Sequence, residues 1–171
     1  IWALTVAPDR EAAAEFRAVV RLESKRPYLQ VVAAYGLVRL GHPEYLCDLA
    51  LMLGRHKHDL QDNIPTILLS VVAAHPAELA DCLRRGLRQP LPLGREVTAL
   101  VAGESGLVAT APALRAALGD REPRVRLAAV WALGRLRDVE ARPTLTRLTG
   151  DPDARTRAFA TEALGHLDGT E

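Results

Sequence analysis

Histidines are the residues of this chain best suited to bind a metal ion or to move protons, and only two of the five lie close together. These two, His56 and His58, are followed by the carboxylates of Asp59 and Asp62. Imidazoles and carboxylates at this spacing could begin a metal site, but no third histidine and no cysteine stands nearby to complete it. We therefore expect a solvated loop here, with neither a metal ion nor another cofactor bound.

The motifs of other catalytic sites do not occur in the sequence. Residues 103–106 (GESG) come nearest to a nucleophile motif, but they fall at a predicted turn between helices. A GxSxG serine instead needs a strand-to-helix turn that exposes its hydroxyl. The chain also has neither a P-loop nor the glycine fingerprint of a dinucleotide site. The sequence therefore predicts no catalytic residue.

Two cysteines, Cys47 and Cys82, lie inside apolar segments with helical spacing. Two cysteines are too few for a disulfide framework, so we expect buried free thiols and a reducing, cytoplasmic compartment. The chain begins at Ile1 rather than at a methionine, and we therefore expect a fragment of a larger protein. That larger protein could carry an anchor upstream of this domain, although no secretory signal occurs within these residues.

Composition and charge narrow the class of protein. The 171 residues are 49% hydrophobic and only 4% aromatic, which excludes a disordered chain and argues against a sandwich of many strands. No apolar run is long enough to cross a membrane. The net charge of +1 gives no overall attraction to nucleic acid or to anionic lipid. Composition therefore predicts an all-α protein and makes nucleic acid an unfavoured partner.

The C-terminal part of the chain repeats itself every 31 residues. A shift of 31 places Asp120 on Asp151 and Arg126 on Arg157, and a glycine and several alanines coincide in the same frame. Apolar residues within each repeat follow the i, i+3, i+4, i+7 spacing of an amphipathic helix. Proline and glycine separate the helical segments. These signals predict helices near 9–22, 27–41, 44–54, 63–74, 77–88, 94–103, 108–118, 123–136 and 153–167, with one more beginning near Pro143.

Residues 120–134 (DREPRVRLAAVWALG) resemble a HEAT repeat in its short bacterial, phycobilisome-lyase-like form. The resemblance implies an α-solenoid, a right-handed superhelix of about five antiparallel helix pairs that share one core. The predicted HEAT-like domain spans residues 1–171 as a single domain, with divergent helix pairs in 1–76 and clearer repeats in 77–168. It further implies a structural ladder between units, formed by Asp120, Arg126, Asp151 and Arg157. An aspartate and an arginine six residues apart could also pair across a short loop.

Some activities of HEAT-like proteins fit this sequence poorly. Iron hydroxylases of this kind use His-Glu pairs on helices, and no histidine of this chain is followed by glutamate. Others attach or isomerise bilin chromophores, an activity to which no residue here points. Trp131 lies on a helix that otherwise bears core residues, so we expect it to be partly buried between units rather than to form a ligand platform.

A set of arginines remains as a candidate binding surface. If the second helix of each pair lines the concave face, as the resemblance implies, a short basic stripe would run along that face. Such a stripe could bind an acidic segment of a protein partner, whereas a solvated helix face with i,i+4 charge pairs is the alternative. Nucleic-acid binding is a further alternative, disfavoured by the near-neutral charge. The stripe would consist of Arg84, Arg85, Arg88, Arg115 and Arg147.

The sequence thus favours a non-enzymatic protein–protein interaction or scaffold module that presents a rigid concave helical surface. The alternative from another class is an enzyme of the HEAT-like group, either a chromophore lyase or a metal-dependent hydroxylase. The oligomeric state and the partner's identity do not follow from one sequence.

Overall fold

The structure is a computed structural model that describes residues 12–21, 27–53 and 63–169, and every regular element in these ranges is helical. Short 3-10 turns lead into three of the helices, at Pro43–Tyr45, Val108–Thr110 and Val139–Ala141. The described residues form ten α-helices: α1 (Ala12–Arg21), α2 (Pro27–Arg39), α3 (Leu46–Met52), α4 (Asn63–Ser70), α5 (Pro76–Gly86), α6 (Pro92–Ser105), α7 (Ala111–Ala117), α8 (Pro123–Arg135), α9 (Arg142–Leu148) and α10 (Ala154–Asp168).

The helices stack as a repeating array of two layers. One layer contains α4, α6, α8 and α10, in which each helix packs against the next. The other contains α3, α5, α7 and α9, and successive helices of the chain cross from one layer to the other. A single helix pair of this size cannot cover its own apolar face, so adjacent pairs must stack to form the core. The predicted all-α solenoid is confirmed.

Equivalent leucines of successive units form the centre of this core. Leu83, Leu114 and Leu145 are separated by 31 residues each and are all completely buried. They belong to one continuous apolar cluster that runs from Val31 to Ala163. The 31-residue period therefore places the same side chain at the same depth in each unit, as expected of a solenoid.

Glycines allow the helices of one layer to approach very closely. A Cβ atom added to Gly103 of α6 would lie 2.8 Å from the Cα atom of Ala132 in α8. One added to Gly134 of α8 would lie 3.1 Å from the Cβ atom of Ala163 in α10. In the opposite layer α7 and α9 make far less contact with each other. From α6 to α10 the spacing is smaller on one side, so this part of the stack curves toward α6, α8 and α10, which we call the inner layer; α5, α7 and α9 form the outer layer.

The cysteines depart from expectation. Cys47 of α3 and Cys82 of α5 form a disulfide, with their Cα atoms 4.6 Å apart. The predicted free thiols are therefore wrong. The residues do lie in apolar helices, but their separation of 35 residues is close to one repeat, so stacking brings them face to face on adjacent helices. The argument for a reducing compartment depended on free thiols, so the disulfide removes its basis.

Two other expectations concern membrane-spanning segments and the histidine pair. Among the described residues, no helix combines the length and the apolar character that crossing a bilayer requires. The histidine pair His56 and His58, with Asp59 and Asp62, lies outside the described residues.

Because α6 and α8 approach so closely, we expect one added methyl group between them to lower the stability of the fold. Replacing Gly103 by alanine would push Ala132 away and separate the two helices, and overpacking of this kind costs about 1–3 kcal/mol. Gly119→Ala is the matched control, because its Cβ would meet only a carbonyl oxygen at an ordinary 3.6 Å. Urea unfolding followed by circular dichroism measures both. Equal stability of the two variants would contradict the close packing.

Candidate functional site

Arginine and aspartate side chains link each unit to the next. Arg95 Nε and Nη2 donate to the two carboxylate oxygens of Asp120 at 2.8 and 2.9 Å. Arg126 repeats the arrangement one unit later, donating to Asp151 at 2.9 and 2.8 Å. Both pairs are largely shielded from solvent. The geometry is a two-point, charge-assisted contact, among the strongest hydrogen bonds available to side chains.

Each ladder residue also holds its own loop. Arg126 Nη1 donates to the backbone oxygen of Asp120 at 3.0 Å, while the Asp120 carboxylate accepts the N–H of Glu122 at 2.9 Å. Arg157 likewise donates to the backbone oxygen of Asp151 at 2.8 Å. The expected side-chain pairing of residues six apart is therefore wrong. Six residues bring the guanidinium to the loop carbonyl, and the carboxylate turns to the arginine of the preceding unit.

The ladder keeps its aspartates ionised. Hydrogen bonds from Arg95 lower the pKa of Asp120, against an opposing effect of burial. Hydrogen bonds from Arg126 lower the pKa of Asp151 in the same way. A carboxylate held ionised by two fixed donors is a poor general acid or base, so the geometry assigns these residues to joining units rather than to chemistry.

The five arginines of the predicted stripe lie on or next to outer-layer helices. Arg115 of α7 contacts Asp138 at 2.8 Å and Glu140 at 2.9 Å, so its charge is neutralised within the chain. Arg84 pairs with Asp81 at 3.1 Å. Arg85 is directed to the sulfur of Cys47, at 3.3 Å. Arg88 and Arg147 are exposed, at the ends of different units.

The five arginines therefore do not stand together as one open stripe, and partner binding through them stays a prediction. The inference assumed that the helices carrying these arginines line the concave face, whereas the close glycine contacts put α6, α8 and α10 on that side. Three of the five guanidiniums already have acceptors within the chain.

The inner layer instead holds a groove between α8 and α10, with a volume of about 370 Å³. Trp131 and Phe159, both partly buried, supply its apolar surface, and Gly134 lies between the two helices. Its polar lining consists of Arg135, Arg137, Glu162 and His166. The expectation that Trp131 is partly buried between units describes its position, but the residue also forms one wall of an open groove.

The two arginines of the groove differ in their setting. The Arg135 guanidinium stacks 5.2 Å above the Trp131 ring centroid and lies 3.5 Å from Glu104, an exposed partner. Arg137 has a left-handed backbone, with φ of 51°. Glycine occupies the corresponding position after α6, where Gly106 has φ of 67°. A side chain in this conformation costs about 1–2 kcal/mol, which marks Arg137 as unusual.

Sequence reasoning missed this groove, although two signals were present. The 31-residue frame aligns Arg137 with Gly106, an exchange of glycine for a side chain at a helix end. It also aligns Trp131 with Leu100, which is itself exposed. Among the residues that the structure describes, no group of three His, Cys, Asp or Glu side chains could hold a metal ion.

Loss of one ladder carboxylate should lower the free energy of unfolding by an amount that depends on pH. Asp151→Asn leaves Arg126 without its ionic partner, and breaking a shielded pair in this way costs about 2–4 kcal/mol of unfolding free energy at pH 7. A lowered pKa means that the stabilisation is complete above the ordinary value of 3.8 and is lost as the pH falls through the folded value.

Unfolding by denaturant at several pH values checks this expectation. The stabilities of wild type and Asp151→Asn should converge as the pH falls below 3.8. Asp81→Asn removes an exposed pair and should change stability by less than about 1 kcal/mol at any pH. A difference between wild type and Asp151→Asn that stays constant with pH would contradict the assignment.

Comparison with known proteins agrees with the fold. The sequence profile described as HEAT repeats matches residues 80–165, half of the chain. Among solved structures, human deoxyhypusine hydroxylase in complex with glycerol matches with a TM-score of 0.62 and 19% sequence identity. The match covers 98% of this chain and 66% of that one, so this chain spans just under two thirds of the hydroxylase. No curated protein sequence gives a match.

The comparison corrects the predicted class of function. The sequence favoured a non-enzymatic scaffold, and that prediction is wrong, because the same architecture over nearly the whole chain is the architecture of an enzyme. The inference took stacked helices as a sign of binding without chemistry, but a fold does not determine activity. The identity of 19% itself shows the fold alone. With half of its residues matched by the repeat profile and the paired layers observed throughout, the chain belongs to the HEAT-repeat family.

Proposed function

We propose that this chain recognises an acidic segment of a polypeptide, which binds in the groove between α8 and α10. The observation that carries the proposal is the combination of Trp131 and Phe159 with two arginines along one open cleft. Binding energy in protein complexes is concentrated on tryptophan, tyrosine and arginine residues in such positions. On an enzyme, the same groove would hold a polypeptide substrate.

A polypeptide suits the shape of the groove. The groove is partly open to solvent and lies on the inner layer, where HEAT-type solenoids offer extended surfaces to their partners. Partly buried Trp131 and Phe159 can each cover an apolar side chain of the bound segment. Leu100 of α6 is exposed on the same layer, one unit before Trp131, and extends the apolar surface toward α6.

The acidic character of the segment follows from the arginines. The pair between Arg135 and Glu104 is exposed and long, so a carboxylate of the bound segment could replace Glu104 at little cost. Arg137 holds its side chain in the groove at the expense of a strained backbone, and such strain is commonly associated with binding sites. The opposing charge in the groove is Glu162.

Peptide binding with groove variants tests the proposal. The probe is a fluorescein-labelled peptide of alternating glutamate and leucine, measured by fluorescence anisotropy beside its lysine counterpart. We expect the glutamate peptide to bind, and Trp131→Ala to weaken it about tenfold or more, as for a residue at the centre of an interface. Arg137→Gly removes one of the two groove guanidiniums and should weaken binding, while the backbone keeps its conformation, because glycine adopts the left-handed region freely.

The matched control moves charge on the outer layer instead. The double variant Arg88→Glu with Arg147→Glu reverses two exposed charges among the arginines that the sequence predicted as a binding surface. It should leave affinity for the peptide unchanged. If this double variant lost more peptide affinity than Trp131→Ala did, the binding site would lie on the outer layer and the proposed groove would be wrong. The proposal would be overturned if the glutamate and lysine peptides bound equally well. It would also be overturned if duplex DNA displaced the glutamate peptide and an unlabelled glutamate peptide did not.

A metal-dependent enzyme of the HEAT class is the second candidate, and the likeness to a hydroxylase favours it. The described residues do not fit a metal centre, since no three ligating side chains converge. The histidine pair at 56 and 58 therefore supplies the candidate ligands outside those residues.

Metal binding tests the second candidate directly. Anaerobic equilibrium dialysis against ferrous iron should load the wild-type chain, and His56→Ala with His58→Ala should abolish loading. His75→Ala, a single histidine preceding a proline, is the matched control and should retain the metal. Failure of the wild type to bind iron, or retention by the double variant, would eliminate this candidate.

A further inference from the structure

The disulfide between α3 and α5 lies at the floor of a second groove. This groove has a volume of about 490 Å³ and is lined by both cysteines, Arg85 and the carboxylates of Glu44, Glu78 and Asp81. Its two sulfur-bearing residues differ in exposure: Cys47 is partly exposed, whereas Cys82 is only 3% exposed. An external group can therefore reach Cys47 far more easily than Cys82.

The Arg85 contact favours a thiolate at Cys47, against the opposing charge of the groove carboxylates and of Asp48, which also interacts with Arg85. Arg85 Nη1 donates to the Cys47 sulfur at 3.3 Å, and a guanidinium at this distance stabilises negative charge on sulfur. Asp81, on the groove wall, is held by Arg84 at 3.1 Å and is thereby partly neutralised. Reactive cysteines are characteristically partly exposed and next to a positive charge, whereas buried cysteines in apolar surroundings are inert.

The two helices do not need the covalent bond to stay together. α3 and α5 pack directly against each other, and Leu46, Leu49, Leu79 and Leu83 at this contact are completely buried. Opening the disulfide would leave this apolar contact intact. The bond can therefore break and re-form within a folded chain.

We propose that Cys47 and Cys82 form a thiol–disulfide exchange site whose partner is a pair of polypeptide cysteines flanked by basic residues. Cys47 is the sulfur that exchanges with the partner, and Cys82 is the resolving sulfur. The basic character of the partner follows from the three carboxylates along the groove, which attract positive charge. Arg85 is a positioning residue that acts through the Cys47 sulfur.

The exchange balances without another reactant. Starting from the bond seen in the structure, a partner thiolate attacks the Cys47 sulfur, the Cys47–Cys82 bond breaks, and Cys82 leaves as a thiolate. A second partner thiolate then attacks the partner sulfur of the mixed disulfide, which forms the partner disulfide and releases Cys47 as a thiolate. The partner dithiol loses two electrons and two protons, and the two cysteines of this chain accept them. The reverse sequence, from the dithiol form of this chain, reduces a partner disulfide.

Single-cysteine variants measure the reactivity of each sulfur. Cys82→Ser leaves Cys47 as the only thiol, and Cys47→Ser leaves Cys82. With cystamine, a cationic disulfide, at pH 7, we expect Cys47 to form a mixed disulfide at least about tenfold faster than Cys82, as exposure and thiolate character require. Glutathione disulfide, which is anionic, should react with Cys47 more slowly than cystamine does.

The arginine supplies a control that a structural disulfide would not respond to. Arg85→Gln in the Cys82→Ser background should slow the cystamine reaction several-fold, whereas Arg88→Gln, one turn further along, should not. Equal rates for the two arginine variants, or equal reactivity of the two cysteines, would overturn the proposal.

A measurement on the native sequence covers the case in which a variant fails to fold. Wild-type protein is reduced with dithiothreitol, its helical circular dichroism is recorded, and the mixed disulfide formed with cystamine is located by mass spectrometry. Retained helicity with labelling at Cys47 supports the exchange site. Unfolding on reduction, or labelling at Cys82 alone, contradicts it.

Discussion

The close packing of helices over small residues in the inner layer is the constraint on which the rest of this structure depends. Gly103 and Gly134 let α6, α8 and α10 come together, while α7 and α9 remain further apart. This difference in spacing sets the direction in which the array bends. It also decides which side chains stand on the concave side. The groove with Trp131 and Phe159 lies on this side, between α8 and α10, and Gly134 at their closest approach is part of its lining.

The architecture could be predicted from the sequence because periodic signals report it directly. The 31-residue frame, the apolar spacing and the proline positions locate α5 to α10 to within a few residues. Each of these signals acts within one helix or between identical positions of neighbouring units. The ladder residues Asp120, Arg126 and Asp151 were likewise recognisable by their recurrence, although the choice of partner for each was not.

Contacts between unlike positions could not be predicted in the same way. The disulfide depends on which faces of α3 and α5 meet, and a separation of 35 residues, a few more than the 31-residue period, does not show that Cys47 faces Cys82. The arginines show a related limit: the sequence shows that Arg84 and Arg115 recur, but not that Arg115 meets Asp138. The groove depends on Trp131 and Phe159, which come from different helices and occupy different positions in their units.

Gln89 shows how the ladder begins. It is buried at the position that Asp120 and Asp151 hold in later units, and its amide donates to Thr98 at 3.4 Å. The preceding inner helix α4 contains no arginine, so a carboxylate here would be buried without a counter-charge. The Gln89 amide bonds to the Thr98 hydroxyl instead, so the first unit of the ladder needs no ionic partner from the helix before it.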